Sequence, residues 1–501
     1  MSISTDLLLR LGNSEEFGRV RGFLQRAAFE DAALCRKLGI ENMSQLDLVL
    51  WDQQERGDLS APLRWCLRVF ARGLLVPEAE SRALCGDEVF AAFLSLGLLQ
   101  RSKLDQSAIL CPAWVYPVDG LVVASDRRND PERGSFAPPE DVVFPAIYGG
   151  TLRFLELLPE AHGGDALDLC GGSGIGALRL SRTARSATTT DLTQRSAFFA
   201  EFNARLNGVQ MHSFCGDLYD PVPDLQFDLI TAHPPFVPAT GEHMAYRDGG
   251  NTGEEVTRRI IEGLPAHLRP GGVCVILCVA RDTADQAFEL RARDWLSSNK
   301  DEFDILFGLE KVLTVEEVVE SMQKRGQRIG DDGARQLLER LRSLGTRQFV
   351  YGALFINRCS SPVSHPPLRL RLTLAGRAAD FEALLAWRRH CRKPGFEQWL
   401  AEARPRLAPQ LELNARHLVR DGELAPAEFV FSISNGFEAR LRPDAFVIPL
   451  LARLNGSRSV AEVFQQAAAA DELPQGFTLD AFAGLVRTMI ERGFFQVEYA
   501  N

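Results

Sequence analysis

Two stretches of the chain carry residue types at spacings that suit chemistry. The first is Asp168-Leu169-Cys170-Gly171-Gly172-Ser173-Gly174-Ile175-Gly176, which follows an apolar strand-like run and opens a helix-like one. Glycines at such a junction let the backbone turn sharply and let a ligand approach it without meeting a side chain. The helix start beyond them offers free N–H groups. Gly172, Gly174 and Ala177 also satisfy GxGxxG/A, so the loop alone fits a dinucleotide, another nucleotide-like ligand, or a tight turn with no ligand. Three strand-end acids narrow the choice. Asp168 lies four residues before Gly172, where a carboxylate would repel a pyrophosphate and attract an ammonium. Asp191, 23 residues after Asp168, could accept both hydroxyls of a ribose. Asp217, in Gly216-Asp217-Leu218, could accept from an adenine amino group. Taken singly, Asp191 also reads as a solvated strand-end acid and Asp217 as a turn former.

The second stretch is Phe227-Asp228-Leu229-Ile230-Thr231-Ala232-His233-Pro234-Pro235-Phe236. Two prolines directly after a buried strand stiffen a loop at the carboxyl edge of a sheet, where ligands bind in open α/β folds. With the glycine loop, this region resembles the class I S-adenosylmethionine-dependent methyltransferases that carry an (Asn/Asp/Ser)-Pro-Pro-(Tyr/Phe) motif. It looks most like the small-domain group, which includes release-factor glutamine and ribosomal RNA guanine methyltransferases. Asn203-x-x-x-Asn207-Gly208, Arg247-Asp248-Gly249-Gly250 and Leu268-Arg269-Pro270-Gly271-Gly272 also match, and the resemblance covers about residues 141–358.

The resemblance implies S-adenosylmethionine as cofactor, held by Asp168, Cys170, Gly172, Gly174, Asp191, Leu192, Asp217, Leu218 and His233. Asp168 would meet the methionine ammonium, directly or through water. It further implies a catalytic set of His233, Pro234 and Phe236, in which the Pro234 carbonyl accepts from a target NH2 and Phe236 packs on its planar group. Pro235, Phe236, Tyr246 and Arg247 would line the acceptor side. The sequence departs from the family at His233, where the motif has Asn, Asp or Ser. A neutral imidazole can accept one hydrogen bond or take one proton, with an ordinary pKa of about 6.5. Base and plain acceptor both stay open, and so does the target. A polar N or O atom of a small molecule or peptide is favoured, with a nucleic acid or translation factor as the alternative. The second departure is Cys170, where the family often has Gly; a packing role under the loop is expected.

These residues need elements to hold them. From Ala166 strands and helices alternate: strand candidates at 166–169, 187–190, 210–215, 227–232, 273–279, 303–307 and 349–356, with helices at 175–183, 195–207, 254–267 and 284–298. Such alternation predicts an α/β core, a Rossmann-like, seven-stranded, mainly parallel sheet covered on both faces. Two polar helices, at 315–325 and 333–344, read as an insertion at about 313–346. Residues 1–126 read as a mainly helical, winged-helix-like domain closing on strands at 109–117 and 120–124. Residues 127–358 then form the methyltransferase-like domain, with a polar linker at 127–140 and a helical pattern over 141–158. After a second linker, residues 368–501 read as another winged-helix-like domain, with a helix over 380–400 and a hairpin around Asn435-Gly436.

The bulk properties set limits. The chain has 501 residues, 46% hydrophobic and 24% charged, which is ordinary globular composition and suggests about three domains. Lys plus Arg is 56 against 66 Asp plus Glu, a formal charge of −10, which disfavours a mainly electrostatic nucleic-acid binder. An arginine-rich stretch from Arg369 to Arg420, with Trp387 and Trp399 interleaved, reads as a solvated helical face more readily than as a nucleic-acid surface. No apolar run approaches the roughly 20 residues that span a bilayer, and no signal peptide is read. The ten cysteines form no CxxC pair and the eight histidines no ligand-spaced cluster, so free thiols, a cytoplasmic setting and no structural metal are expected. Self-association into a homodimer is left open. Two other classes remain: a nicotinamide-dependent oxidoreductase, which Gly172-x-Gly174-x-x-Ala177 also fits, and a non-catalytic binding protein in which His233 marks a decayed site.

Overall fold

The computed structural model describes residues 8–49, 59–132, 134–135, 138–239, 247–324, 330–420 and 422–499. They form two compact units, and the divide does not follow the linkers: it runs through the strands Phe303–Leu313 and Thr346–Arg358. The first unit holds residues 1–303, 313–349 and 356–364, so the N-terminal segment belongs to the same unit as the central sheet.

That segment packs the helices Ser14–Arg26, Asp31–Leu38, Ala61–Cys66, Glu78–Cys85 and Asp87–Ser95 around Phe23, Trp65, Phe70 and Phe93, whose rings meet at 5.4–5.7 Å. The single strand expected at 109–117 is two, Ala108–Leu110 and Ala113–Val118, separated at Cys111-Pro112. The second pairs with Leu121–Asp126 in an antiparallel hairpin. The helix expected over 141–158 is only α1 (Gly149–Glu156). Ahead of it the chain is held extended: Val143 N–H donates to the Asp126 carboxylate at 2.8 Å and its carbonyl accepts from the Asp126 N–H.

The core follows the expected alternation: β1 (Asp165–Leu169), α2 (Ile175–Leu180), β2 (Ser186–Asp191), α3 (Gln194–Asn207), β3 (His212–Cys215), β4 (Phe227–Ala232), α4 (Glu255–His267), β5 (Leu268–Thr283) and α5 (Phe288–Trp295). The strands lie in the order β5-β4-β1-β2-β3, all parallel. In β1, β2, β4 and β5 the apolar residues are largely buried, as helix-covered parallel sheets require, whereas the edge strand β3 leaves Phe214 exposed. The order reverses between β1 and β4, which puts a crevice at their carboxyl ends. The insertion forms α6 (Val315–Lys324) and α7 (Asp331–Ser343), and Arg325, expected to end the first of these, lies outside the described residues.

The second unit orders its strands Glu412–Arg420, Glu423–Ser434, Phe437–Leu441, Leu368–Leu372, then residues 304–312 and 350–355. The helix expected over 380–400 is two, Ala378–His390 and Phe396–Glu402, because Pro394 and a left-handed Gly395 (φ 80°) interrupt it. The arginine-rich stretch is partly internal. Arg388 and Arg392 both donate to the buried Asp304 at 3.0 Å, and Trp387 packs in the core. Among the described residues no helix is long and apolar enough to cross a membrane.

Candidate active site

The sheet register assembles the site. Asp168 and Leu169 of β1 lie beside Thr231 and Ala232 of β4, so the glycine loop and the double-proline loop leave the sheet side by side. Thr231 Oγ1 donates to Asp168 Oδ1 at 2.9 Å, and the N–H of Ala177 in α2 donates to the same carboxylate. Gly176 makes room for it: a Cβ there would stand 2.4 Å from Oδ2. Asp168 is 2% exposed, and burial pushes its pKa from 3.8 to about 7, with the nearby Asp191 pushing the same way. No cationic side chain among the described residues pairs with either acid.

Asp191, at the end of β2, accepts the Gly172 N–H at 2.9 Å and the Thr193 N–H at 3.2 Å. Burial raises its pKa as well. Gly174 caps α2 at φ 80°, and a Cβ there would press on Ala200 of α3 at 2.8 Å. The Gly172 Cα, by contrast, faces open space, with nothing within 4 Å of where a Cβ would sit. Cys170 holds φ 58°, a left-handed conformation that glycine adopts more easily. Its thiol feels the charges of Asp191, Asp168 and Asp217, which with burial keep it protonated. Asp217 is engaged by Arg259 of α4 at 2.9 Å. Leu218 is buried, and its carbonyl accepts from Thr190 Oγ1 at 2.8 Å, whereas Leu192 is 56% exposed.

Across the crevice, His233 lies between the rings of Phe154 from α1 and Phe236, at 5.5 and 6.1 Å between centroids. Gly150 lies against its edge, where a Cβ would approach Cε1 to 3.4 Å. Burial brings the imidazole pKa from 6.5 down to about 4, so the ring is neutral at physiological pH. The acceptor loop is zipped to the segment after it. Val237 N–H donates to the Arg247 carbonyl at 3.0 Å, Gly249 N–H to the Val237 carbonyl at 2.9 Å, and Ala239 N–H to the Gly250 carbonyl at 2.8 Å. Arg247, expected to reach substrate, donates instead to Asp248 at 2.9 Å and is largely buried. Tyr246 lies outside the described residues.

The profile of a family described as "methyltransferase small domain" matches residues 146–293. Among curated proteins, a ribosomal protein uL3 glutamine methyltransferase of Bradyrhizobium diazoefficiens is 31% identical over 200 residues, covering 34% of this chain and 60% of the relative. A release factor glutamine methyltransferase of Geobacter sulfurreducens is 32% identical, covering 22% and 44%. A candidate protein N5-glutamine methyltransferase of Methanocaldococcus jannaschii is 30% identical, covering 25% of this chain and 68% of the relative. The chain belongs to the methyltransferase small-domain family. It spans roughly half the length of the first curated relatives it matches.

Sequence reasoning missed several residues that hold this methyltransferase-family site. Asn203 and Asn207, quoted only as part of a motif, grip the N-terminal hairpin from α3. Asn203 Oδ1 accepts the Ala124 N–H at 2.7 Å, and its Nδ2 donates to the carbonyls of Ala124 and Ser173, both at 2.9 Å. Asn207 makes the same two-way contact with Val122. Asparagines four apart on a helix are the readable signal. Arg195 of α3 forms a buried pair with Asp126 at the hairpin's end. Glu254, buried at the start of α4, accepts from Arg281 and Arg291 at 2.8 Å. Thr231 was visible as a lone hydroxyl in an apolar strand.

Proposed function

We propose that the protein is an S-adenosylmethionine-dependent methyltransferase that modifies a polar nitrogen of a protein or peptide. The observation that carries this reading is the buried, cation-free Asp168 beneath a glycine loop that opens to free space, facing a double-proline loop with a neutral His233. Three acids suit the cofactor's ammonium, ribose hydroxyls and adenine amino group. They oppose the pyrophosphate of a dinucleotide, which weighs against the oxidoreductase reading. The glutamine methyltransferases named above, which act on protein side chains, support a protein acceptor.

Asp168 would hold the methionine ammonium, Asp191 the ribose and Asp217 the adenine edge, with Arg259 yielding its place on one carboxylate oxygen. Bound there, S-adenosylmethionine supplies an electrophilic methyl group on a sulfonium. The chain's own task is to align a nucleophile and exclude water. Among the described residues no donor reaches the Pro234 carbonyl, so it can accept from an incoming NH2. His233 can accept from the same group through a ring nitrogen, and Phe236 packs on its plane. An imidazole with a pKa of about 4 is a weak base, which favours positioning over proton removal.

Thermal-shift measurement with S-adenosylhomocysteine and with NAD tests the cofactor. Stabilisation by the first and not the second is expected, and stabilisation by NAD alone overturns the reading. Incubating a cell extract with methyl-labelled cofactor and fractionating it tests the acceptor. Label in the protein fraction supports the proposal, and label confined to RNA or metabolites refutes the protein acceptor.

A further inference from the structure

The insertion lies outside the family-matched residues 146–293, yet it reaches the acceptor loop. Its two helices are amphipathic: Val315, Val319 and Met322 of α6 meet Ala334, Leu337 and Leu341 of α7 in a small core of their own. Val237, one residue past Phe236, and Val279 of β5 pack against that core. From α7, Arg340 donates to the Ala239 carbonyl at 2.8 Å. The same guanidinium group is partly buried against the loop, with its Nε out of contact with solvent.

At the insertion's exit, Thr346 touches the arginine that holds the start of α4. Thr346 Oγ1 accepts from Arg281 at 2.9 Å, and Arg281 donates in turn to Glu254 at the start of α4. Ala239 is thus held from Arg340 of the insertion, while Glu254 is held by Arg281 and Arg291, the first of which also reaches Thr346.

We propose that the two-helix insertion is the acceptor-selecting element of this protein and that Arg340 is a positioning residue for the Pro234–Ala239 loop. The inference rests on the methyltransferase reading of the site. Its claim is that the insertion sets where the Pro234 carbonyl and Phe236 ring stand without contributing to cofactor affinity, because Asp168, Gly172 and Asp191 are held by β1, β2 and α2.

The test compares full-length Arg340→Ala and Arg340→Lys with the parent protein by amide hydrogen exchange and by titration with S-adenosylhomocysteine. In Arg340→Ala, exchange at Val237, Ala239 and Gly249 rises at least tenfold, while exchange in β1 and β2 and the affinity for S-adenosylhomocysteine stay within twofold. Arg340→Lys, which keeps a donor for the Ala239 carbonyl, restores at least half of the lost protection. Labelling of the protein acceptor by Arg340→Ala falls at least tenfold at low extract concentration and recovers as extract is added, the pattern of a raised KM. Unchanged exchange with ligand binding intact overturns the positioning role. Equal loss of protection across the sheet shows a merely structural residue and overturns it too. If the parent protein does not bind S-adenosylhomocysteine, the functional reading fails instead, and the exchange result is judged separately.

Discussion

Replacing Asp168 with Asn offers the sharpest test of the cofactor site, because it removes the charge while keeping the side chain's size and one acceptor oxygen. The carboxyl titrates near 7 in the ligand-free protein because it is buried, with Asp191 close by and no cation to balance it. A ligand presenting an ammonium binds the ionised form. Its affinity therefore rises as pH climbs toward 7 and levels off above. With a site pKa of about 7, the ionised fraction grows on the order of tenfold between pH 5.5 and 7.0, equivalent to about 1–2 kcal/mol of binding energy. His233 titrates near 4, below this window, and an α-amino group near 8 lies above it. Asp191, whose pKa is also raised, adds to the slope in the same direction. Calorimetric titration of S-adenosylhomocysteine at the two pH values reads the effect directly. Asp168→Asn should lower affinity at pH 7 by roughly 10- to 100-fold, the scale of one charge-assisted hydrogen bond, and should flatten most of the slope. The same shift bears on stability. The native state holds this proton more tightly than the unfolded chain, so the ligand-free protein loses stability as pH rises from about 4 to 7, by an amount on the order of 4 kcal/mol for Asp168 alone. Asp168→Asn removes that loss. An affinity that is flat, or that falls, between pH 5.5 and 7.0 in the parent protein would refute the ammonium assignment; a falling one would point to an anionic ligand.

His233→Asn restores the family's residue type and should leave turnover at saturating cofactor within about tenfold of the parent, with neither protein showing an inflection in that rate between pH 6 and 8, because the imidazole titrates near 4 and saturation removes the pH dependence of binding at Asp168. A rate that rises through pH 6.5 only in the parent would identify His233 as a base after all. Asn203→Ala removes three buried hydrogen bonds and leaves backbone groups of Ala124 and Ser173 unpaired. It should cost about 2–4 kcal/mol in urea unfolding and weaken S-adenosylhomocysteine binding through the loosened Ser173 carbonyl. A loss below about 1 kcal/mol would show the hairpin is held by packing alone.

What could be read from the sequence was what neighbours along the chain decide. The glycine loop, the acids at the ends of β1, β2 and β3, and the double proline are local patterns, and the alternating core followed from the apolar period. What escaped was decided between distant residues. Arg340 finds Ala239 across 101 positions, and Arg195 finds Asp126 across 69. Composition has no signal for such pairs. The arginine-rich stretch shows the cost of ignoring partners. Arg388 reads as surface charge until Asp304, 84 residues earlier, is seen buried beside it. The broken helix at Pro394-Gly395 was legible and was overridden by the apolar period on either side. Arg247 could be placed near the acceptor side only by its position after the motif; that its guanidinium also pairs with Asp248, its immediate neighbour, is visible only in the fold.

The same contrast explains His233. From the sequence, an imidazole in place of a carboxamide left two readings open, a proton-removing base and a plain hydrogen-bond acceptor. The structure supplies what the residue type cannot: a slot between Phe154 and Phe236, closed at its edge by Gly150. Gly150 lies along the ring's edge, where an added Cβ would come into van der Waals contact with Cε1 at 3.4 Å. Burial in that slot makes the charged form expensive and holds the ring neutral. A ring that stays neutral keeps a lone pair on one nitrogen at every working pH, which is the property the motif's asparagine carbonyl would otherwise provide. Held neutral between Phe154 and Phe236, His233 fits the proposed role of a hydrogen-bond acceptor better than that of a base.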